Sequence, residues 1–158
     1  MKRLDFQWVE NTWTYVNKKR IPQSVRKNAE FYFIENYEEI NNKNDVFFVT
    51  IINDNFSEED LLNEYYIKFK FPYFGFNWDA LLDCLRDLEW IKQKNIIVYH
   101  PQLPQLNKKN LKIYLEILSN VMESWKQWKE HNFEVYFNLK NYDKVQHIMN
   151  KYIFPRSP

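Results

Sequence analysis

Phe71-Pro72-Tyr73-Phe74-Gly75-Phe76-Asn77-Trp78-Asp79-Ala80-Leu81-Leu82-Asp83-Cys84-Leu85 carries the only glycine of a 158-residue chain. Gly75 is free to take the positive φ that a tight turn often requires. Asn77 stands where an N-cap belongs, its side chain able to accept from a free backbone N–H. A helix from about Trp78 to about Trp90 is expected. Along it Trp78, Leu81, Leu82, Leu85 and Leu88 recur at three- and four-residue spacing and define one apolar face. Asp79, Asp83 and Asp87 recur every fourth residue and project from nearly the opposite face. Like charges so placed cost a helix roughly 0.2–0.5 kcal/mol per pair. Only Asp79 lies near enough to the N-terminus to recover some of that from the helix dipole. The stripe reads as a solvated face, a carboxylate pair for metal or catalysis, or an acidic surface for a protein. The turn aromatics Tyr73, Phe74 and Phe76 favour the last, since aromatics beside charge make interface hot spots.

The flanks alternate strand and helix. Upstream, Asp45–Asp54 contains Val-Phe-Phe-Val-Thr-Ile-Ile, a continuous apolar run of the kind buried on both sheet faces. Asn55 or Ser57 caps a helix to about Phe71. Downstream, Asn95–His100 is a second apolar strand. After Pro101 and Pro104, Asn107 opens a helix to about Lys129. Its stripe is Leu111, Tyr114, Leu115, Leu118, Val121, Met122, Trp125 and Trp128. Phe133–Leu139 is a third strand. Val145, Ile148, Met149 and Tyr152 belong to a short last helix. Apolar strands separated by helical crossovers imply an α/β fold with a small three-stranded parallel sheet packed by helices. Before it, residues 6–16 read as a hairpin and Glu30–Asn36 as a strand. Residues 1–44 are marginal as an independent unit. They are read as a β-rich N-terminal extension packed on a main domain of residues 45–158.

The run from Pro72 to Leu85 resembles the signature of the barstar family of ribonuclease inhibitors. That signature is Pro-x-aromatic-aromatic-Gly-x-Asn-x-Asp-Ala-Leu-x-Asp-Cys-Leu. Here it is one residue shorter before the glycine and gapless from Gly75 onward. The order of elements is similar over roughly Asp45–Lys140. The resemblance implies a barstar-like fold and a protein partner. It also implies contacts through the turn (Tyr73, Phe74, Gly75), Asn77, Asp79 and Asp83, with Asp83 the strongest anchor; Asp87, one turn further along the stripe, is expected at the rim. Leu82 replaces the family's helix-borne Trp. Gln127 falls opposite the family's third acidic contact, with Glu123 one turn earlier. These departures point away from barnase itself as the partner. The expected function is that of an immunity-type inhibitor blocking a toxic nuclease, as a monomer or in a 1:1 complex.

Composition narrows the alternatives. Mean hydropathy of −0.66 and the lack of a long apolar run argue against a membrane span. Met1–Trp8 has no apolar signal core, and the single Cys84 suits a reducing compartment. A cytoplasmic location is therefore expected, with Cys84 a small buried hydrophobe. One glycine is too few for a P-loop or dinucleotide fingerprint, and His100, His131 and His147 make no metal spacing. No cofactor and no enzyme activity are expected. The net charge is only +1, but residues 45–100 hold ten acidic and five basic residues, whereas 101–158 hold five and nine. Two rivals stay open. One is a Mg²⁺-dependent hydrolase using Asp79, Asp83 and Asp87. The other is an RNA-binding module using the basic ends, including Lys18–Lys27.

Overall fold

The computed structural model describes residues 6–9, 12–15, 31–40, 44–52 and 57–153. The basic loop Lys18–Lys27 and the alternative cap Asn55 lie outside them. Strands β1 (Phe6–Val9) and β2 (Thr12–Tyr15) form the expected antiparallel hairpin, with Phe6 opposite Tyr15. The main sheet is wholly parallel and has four strands, not three. Its order is β3 (Tyr32–Ile34), β6 (Asn132–Asn138), β5 (Asn95–His100), β4 (Val46–Thr50).

The fourth strand is Tyr32–Ile34, paired with Tyr136–Asn138 about a hundred residues away in sequence. Aromatic contacts with β6 explain the fit of β3. Phe33 is buried, and with Phe31 just before the strand it meets the Phe137 ring at 6.0 and 5.1 Å, while Tyr32 meets Tyr136 at 4.9 Å. Three residues are too few for a pattern that specifies which sheet edge they join.

β5 is central and buried from Ile96 to His100, as its apolar run predicts. β4 has the same kind of sequence but lies at an edge, so Phe48 is 40% exposed. A continuous apolar run does not distinguish a central strand from an edge strand.

Helix α1 (Glu58–Phe69) starts at Ser57, whose hydroxyl accepts from the Asp60 N–H. Helix α2 (Trp78–Leu85) follows, then α3 (Lys108–Trp128), capped by Asn107, and α4 (Tyr142–Ile148), which ends in a π turn, Met149–Ile153. α3 buries its expected stripe except Trp128, which sits at the last turn and stays 41% exposed.

α2 is shorter than its periodicity implies. It stops at Leu85, so Asp87 and Leu88 lie beyond it. Leu88 turns to φ 49° and is fully buried, with its N–H donating to Cys84 C=O. The C-cap of α2 is Arg86 at φ −96°, and Leu88, two residues on, is held in its left-handed conformation by burial in the core.

Five described residues other than glycine take positive φ: Asp45, Lys70, Phe76, Leu88 and Lys129. Lys70 and Lys129 close α1 and α3 as left-handed caps. Asp45 is held by backbone contacts, its carboxylate accepting from Lys94 N–H at 2.9 Å and its C=O from Asn95 N–H at 3.2 Å. Among the described residues no helix is long and apolar enough to cross a membrane.

Candidate protein-binding site

Phe71 is buried just past the Lys70 cap of α1, so the next six residues must cross the surface to reach α2. Asn77 caps α2 as expected, its Oδ1 accepting from the Ala80 N–H at 2.7 Å. The left-handed residue of this turn is Phe76 at φ 54°, not Gly75, which corrects the reading of the glycine. A Cβ on Gly75 would meet Ala80 Cβ at 3.5 Å and Asn77 Nδ2 at 3.7 Å, ordinary contacts. Gly75→Ala is therefore expected to change unfolding free energy by less than about 1 kcal/mol, and to stabilise if anything. Urea denaturation checks this; a loss of several kcal/mol would show that the turn does need glycine.

The turn aromatics form two groups. Phe74 is half-buried, 4.9 Å from Phe71 and 4.7 Å from Phe76. The Tyr66 ring of α1 stacks on Phe74 at 6.0 Å and meets Phe76 at 5.0 Å. Phe76 remains 47% exposed. Tyr73, 50% exposed, is held from its other side. Its hydroxyl donates to the Asp87 carboxylate, its C=O accepts from the Cys84 thiol at 3.3 Å, and its ring lies edge-on to Trp90 at 6.2 Å. Trp90 Nε1–H in turn donates to Phe69 C=O at 2.9 Å and ties this corner to α1. The hydrogen bond to Asp87 pushes the Tyr73 phenol up, with burial adding to it. Burial first, then Asp87 and Asp83, push the Cys84 thiol up to about 11. A thiol so placed is a buried packing group and not a nucleophile.

Asp79 and Asp83 project from exposed positions of α2, while Asp87 is half-buried as the acceptor of Tyr73. Asp87 thus differs from Asp79 and Asp83 in accepting a hydrogen bond from the aromatic turn. Removing Tyr73 Oη (Tyr73→Phe) and the Asp87 carboxylate (Asp87→Ala) should not be additive. A double-mutant cycle should return a coupling of about 0.5–1 kcal/mol. Additive losses would show that the two groups act separately. Among the described residues no group of three His, Cys, Asp or Glu stands close enough to hold a metal ion.

The remaining expected residues lie on two helices. Leu82 is half-buried and packs on the core. Glu123 and Gln127 are exposed one turn apart on α3, with Gln127 Nε2 donating to Glu123 Oε2 at 3.4 Å. α3 is fastened to the end of α2 by Trp125, whose Nε1–H donates to Leu85 C=O at 2.8 Å. The Arg86 guanidinium lies 5.3 Å from the ring centre of exposed Trp128. Two further aromatics, Tyr66 and Trp128, therefore border this surface beside the expected turn aromatic Phe76. Phe76 stands inside the motif. Tyr66 and Trp128 fall on helical apolar spacings and carry no sequence signal for exposure.

The barstar (barnase inhibitor) family model matches residues 46–140. The chain belongs to the barstar family. No curated protein and no solved structure gives a match. Proteins of the barstar family are inhibitors and not enzymes. The matched span runs from β4 to the residues just after β6, and so contains the aromatic turn, α2 and α3 whole. β3 lies outside it, as does α4.

Proposed function

We propose that this barstar-family protein is an immunity-type inhibitor that blocks the active site of a toxic nuclease, a ribonuclease in the first instance. The observation that carries this reading is the pairing of an exposed aspartate face with an aromatic turn fixed by Tyr73–Asp87 and Tyr66–Phe74–Phe76 contacts. A ribonuclease cleft presents cations where phosphates bind and apolar surface where bases sit. Asp79 and Asp83 match the first, and Tyr73 and Phe76 match the second. Rigid aromatics lose little conformational freedom on binding, and desolvated carboxylates make charge-assisted hydrogen bonds. Asn77 supports the geometry chiefly as a helix cap, while Glu123 and Gln127 extend the face along α3. The family's description supports a nuclease as partner. A 1:1 complex in the cytoplasm, in a toxin–immunity pair, is the setting that fits this role.

The test is stoichiometric inhibition. Cleavage of a fluorogenic RNA substrate is followed for barnase and for any nuclease whose gene neighbours that of this chain. Each is titrated with the protein. Loss of activity complete at one equivalent supports the reading. Unchanged rates for all of them at large excess would overturn it.

A further inference from the structure

β4 is the last strand of the sheet, and on the side away from β5 it pairs with no strand among the described residues. Backbone alternation in a parallel pair decides which groups point to that side. Ile51 N–H donates to Tyr99 C=O at 2.8 Å, so residue 51 turns its backbone towards β5. Its neighbours Thr50 and Ile52 turn theirs away. An edge of this kind is a template for a further strand, above all where it is apolar. Val46-Phe47-Phe48-Val49-Thr50 carries no charge, and Phe48 and Ile52 are exposed.

Two outward groups of this edge are already engaged. Ile52 N–H donates to Glu64 Oε2 at 2.7 Å, and Thr50 C=O accepts from Lys68 Nζ at 2.6 Å. Glu64 and Lys68 stand one turn apart on α1 and bond each other at 2.8 Å. In a parallel sheet, the C=O of one residue and the N–H two residues on are met by the N–H and C=O of a single residue of the next strand. Lys68 Nζ stands in for that N–H, and the Glu64 carboxylate for that C=O. One ion pair thus reproduces the hydrogen-bonding groups of one residue of a fifth strand. It offers no backbone on which another strand could build. The pair is also more than a loose surface contact. The Glu64 side chain is 12% exposed, and Phe69 of the same helix packs on Phe47 of β4 at 5.5 Å.

We infer that the Glu64–Lys68 pair is an edge latch, which ends the sheet at β4 and keeps this strand from pairing with β4 of a second copy of the chain. A second copy fits the edge because an uncharged strand meeting itself sets no like charges opposite each other. The latch does not depend on the nuclease reading and stands or falls apart from it.

Sedimentation velocity of the full chain from about 10 μM to about 1 mM tests it. The wild type should remain a monomer throughout. Glu64→Ala with Lys68→Met frees both edge groups, while methionine keeps the apolar stem and helix preference of lysine. This variant should self-associate with a dissociation constant of about 100 μM or tighter. At the lowest concentration its Ile52 amide should exchange hydrogen at least about tenfold faster than in the wild type. Adding Phe48→Lys puts a charge on the edge and should return the variant to a monomer. Glu64→Lys with Lys68→Glu keeps an ion pair but sets a donor against the Ile52 N–H, so this variant should associate too. If the alanine–methionine variant unfolds, Lys68→Met alone carries the same expectation at higher concentration, since it retains the Glu64 bond. A wild type that already self-associates, latch variants that stay monomeric, an exchanged pair that behaves as the wild type, or association that survives Phe48→Lys would overturn the inference.

Discussion

Asp83→Ala should bind the target nuclease at least about 2 kcal/mol more weakly than the wild type, roughly thirtyfold in dissociation constant. The aspartate stands exposed on α2 between buried Leu81 and buried Cys84, so its backbone is held by the core while its side chain faces outward. Removing an exposed carboxylate of this kind changes stability by no more than about 0.5 kcal/mol, so the mutant should melt with the wild type. Binding is different, because the carboxylate would be desolvated against a cation in the cleft. Truncation then leaves that cation buried and unpaired, and the loss appears mainly in the dissociation rate. Asp83→Asn keeps the shape and one acceptor while removing the charge. If charge pairing dominates, it should lose nearly as much as alanine. Surface plasmon resonance on both variants, with thermal melts as the control, decides the matter. Equal affinities for wild type and Asp83→Ala would remove Asp83 from the interface.

Acid should destabilise the fold through one buried residue, His100. Its ring is fully buried on β5 and stacks on Phe137 at 4.3 Å. Nδ1 lies 3.0 Å from Tyr136 C=O, which can only accept, so Nδ1 carries the proton. Nε2 then accepts from the Tyr114 hydroxyl at 2.6 Å, and the Tyr114 oxygen accepts from Tyr65 at 2.6 Å. The chain Tyr65–Tyr114–His100 thus joins α1, α3 and the central strand with every polar atom used. Burial brings the His100 pKa down to about 4, against 6.5 for the free side chain. Between these values the unfolded chain binds one more proton than the folded chain. The stabilisation is therefore fully present above about pH 6.5 and is lost as pH falls towards 4, by about 3 kcal/mol at most. Protonation would also force Nε2 to become a donor and break its bond from Tyr114. Urea unfolding of wild type and His100→Gln from about pH 7.5 to about pH 4.5 isolates the effect. The variant should be less stable at the upper end and should lack this acid-dependent loss. Parallel pH profiles would show that His100 does not titrate as its surroundings imply.

The central strand, the helix caps and the acidic stripe were legible from local patterns alone. Asn95–His100 was readable because a strand buried on both faces leaves an unbroken apolar run. Asn77 and Asn107 were readable because a cap is a contact between residues three apart. The aspartates were readable because four-residue spacing places charges on one side of a helix. The family signature runs through the same short segment, which is why so few residues pointed to both fold and partner class.

What remained hidden depends on contacts between distant parts of the chain. Glycine at position 75 signalled left-handed backbone, but the strained conformation falls on Phe76, which is offset by tilted ring contacts with Phe74 and Tyr66. Asp87 looked like a third free charge until α2 ended early and Tyr73 reached it. His100 looked like an isolated histidine, because Tyr65 and Tyr114 come from two other helices. β3 is three residues long, and only the exposed edge of β6 determines where it pairs. Spacing in sequence determined which residues share a helix face or cap a helix end, since those interactions span one turn. Edge against centre, exposed against buried, and free charge against hydrogen-bonded charge were decided by tertiary packing, because each depends on which distant residue arrives.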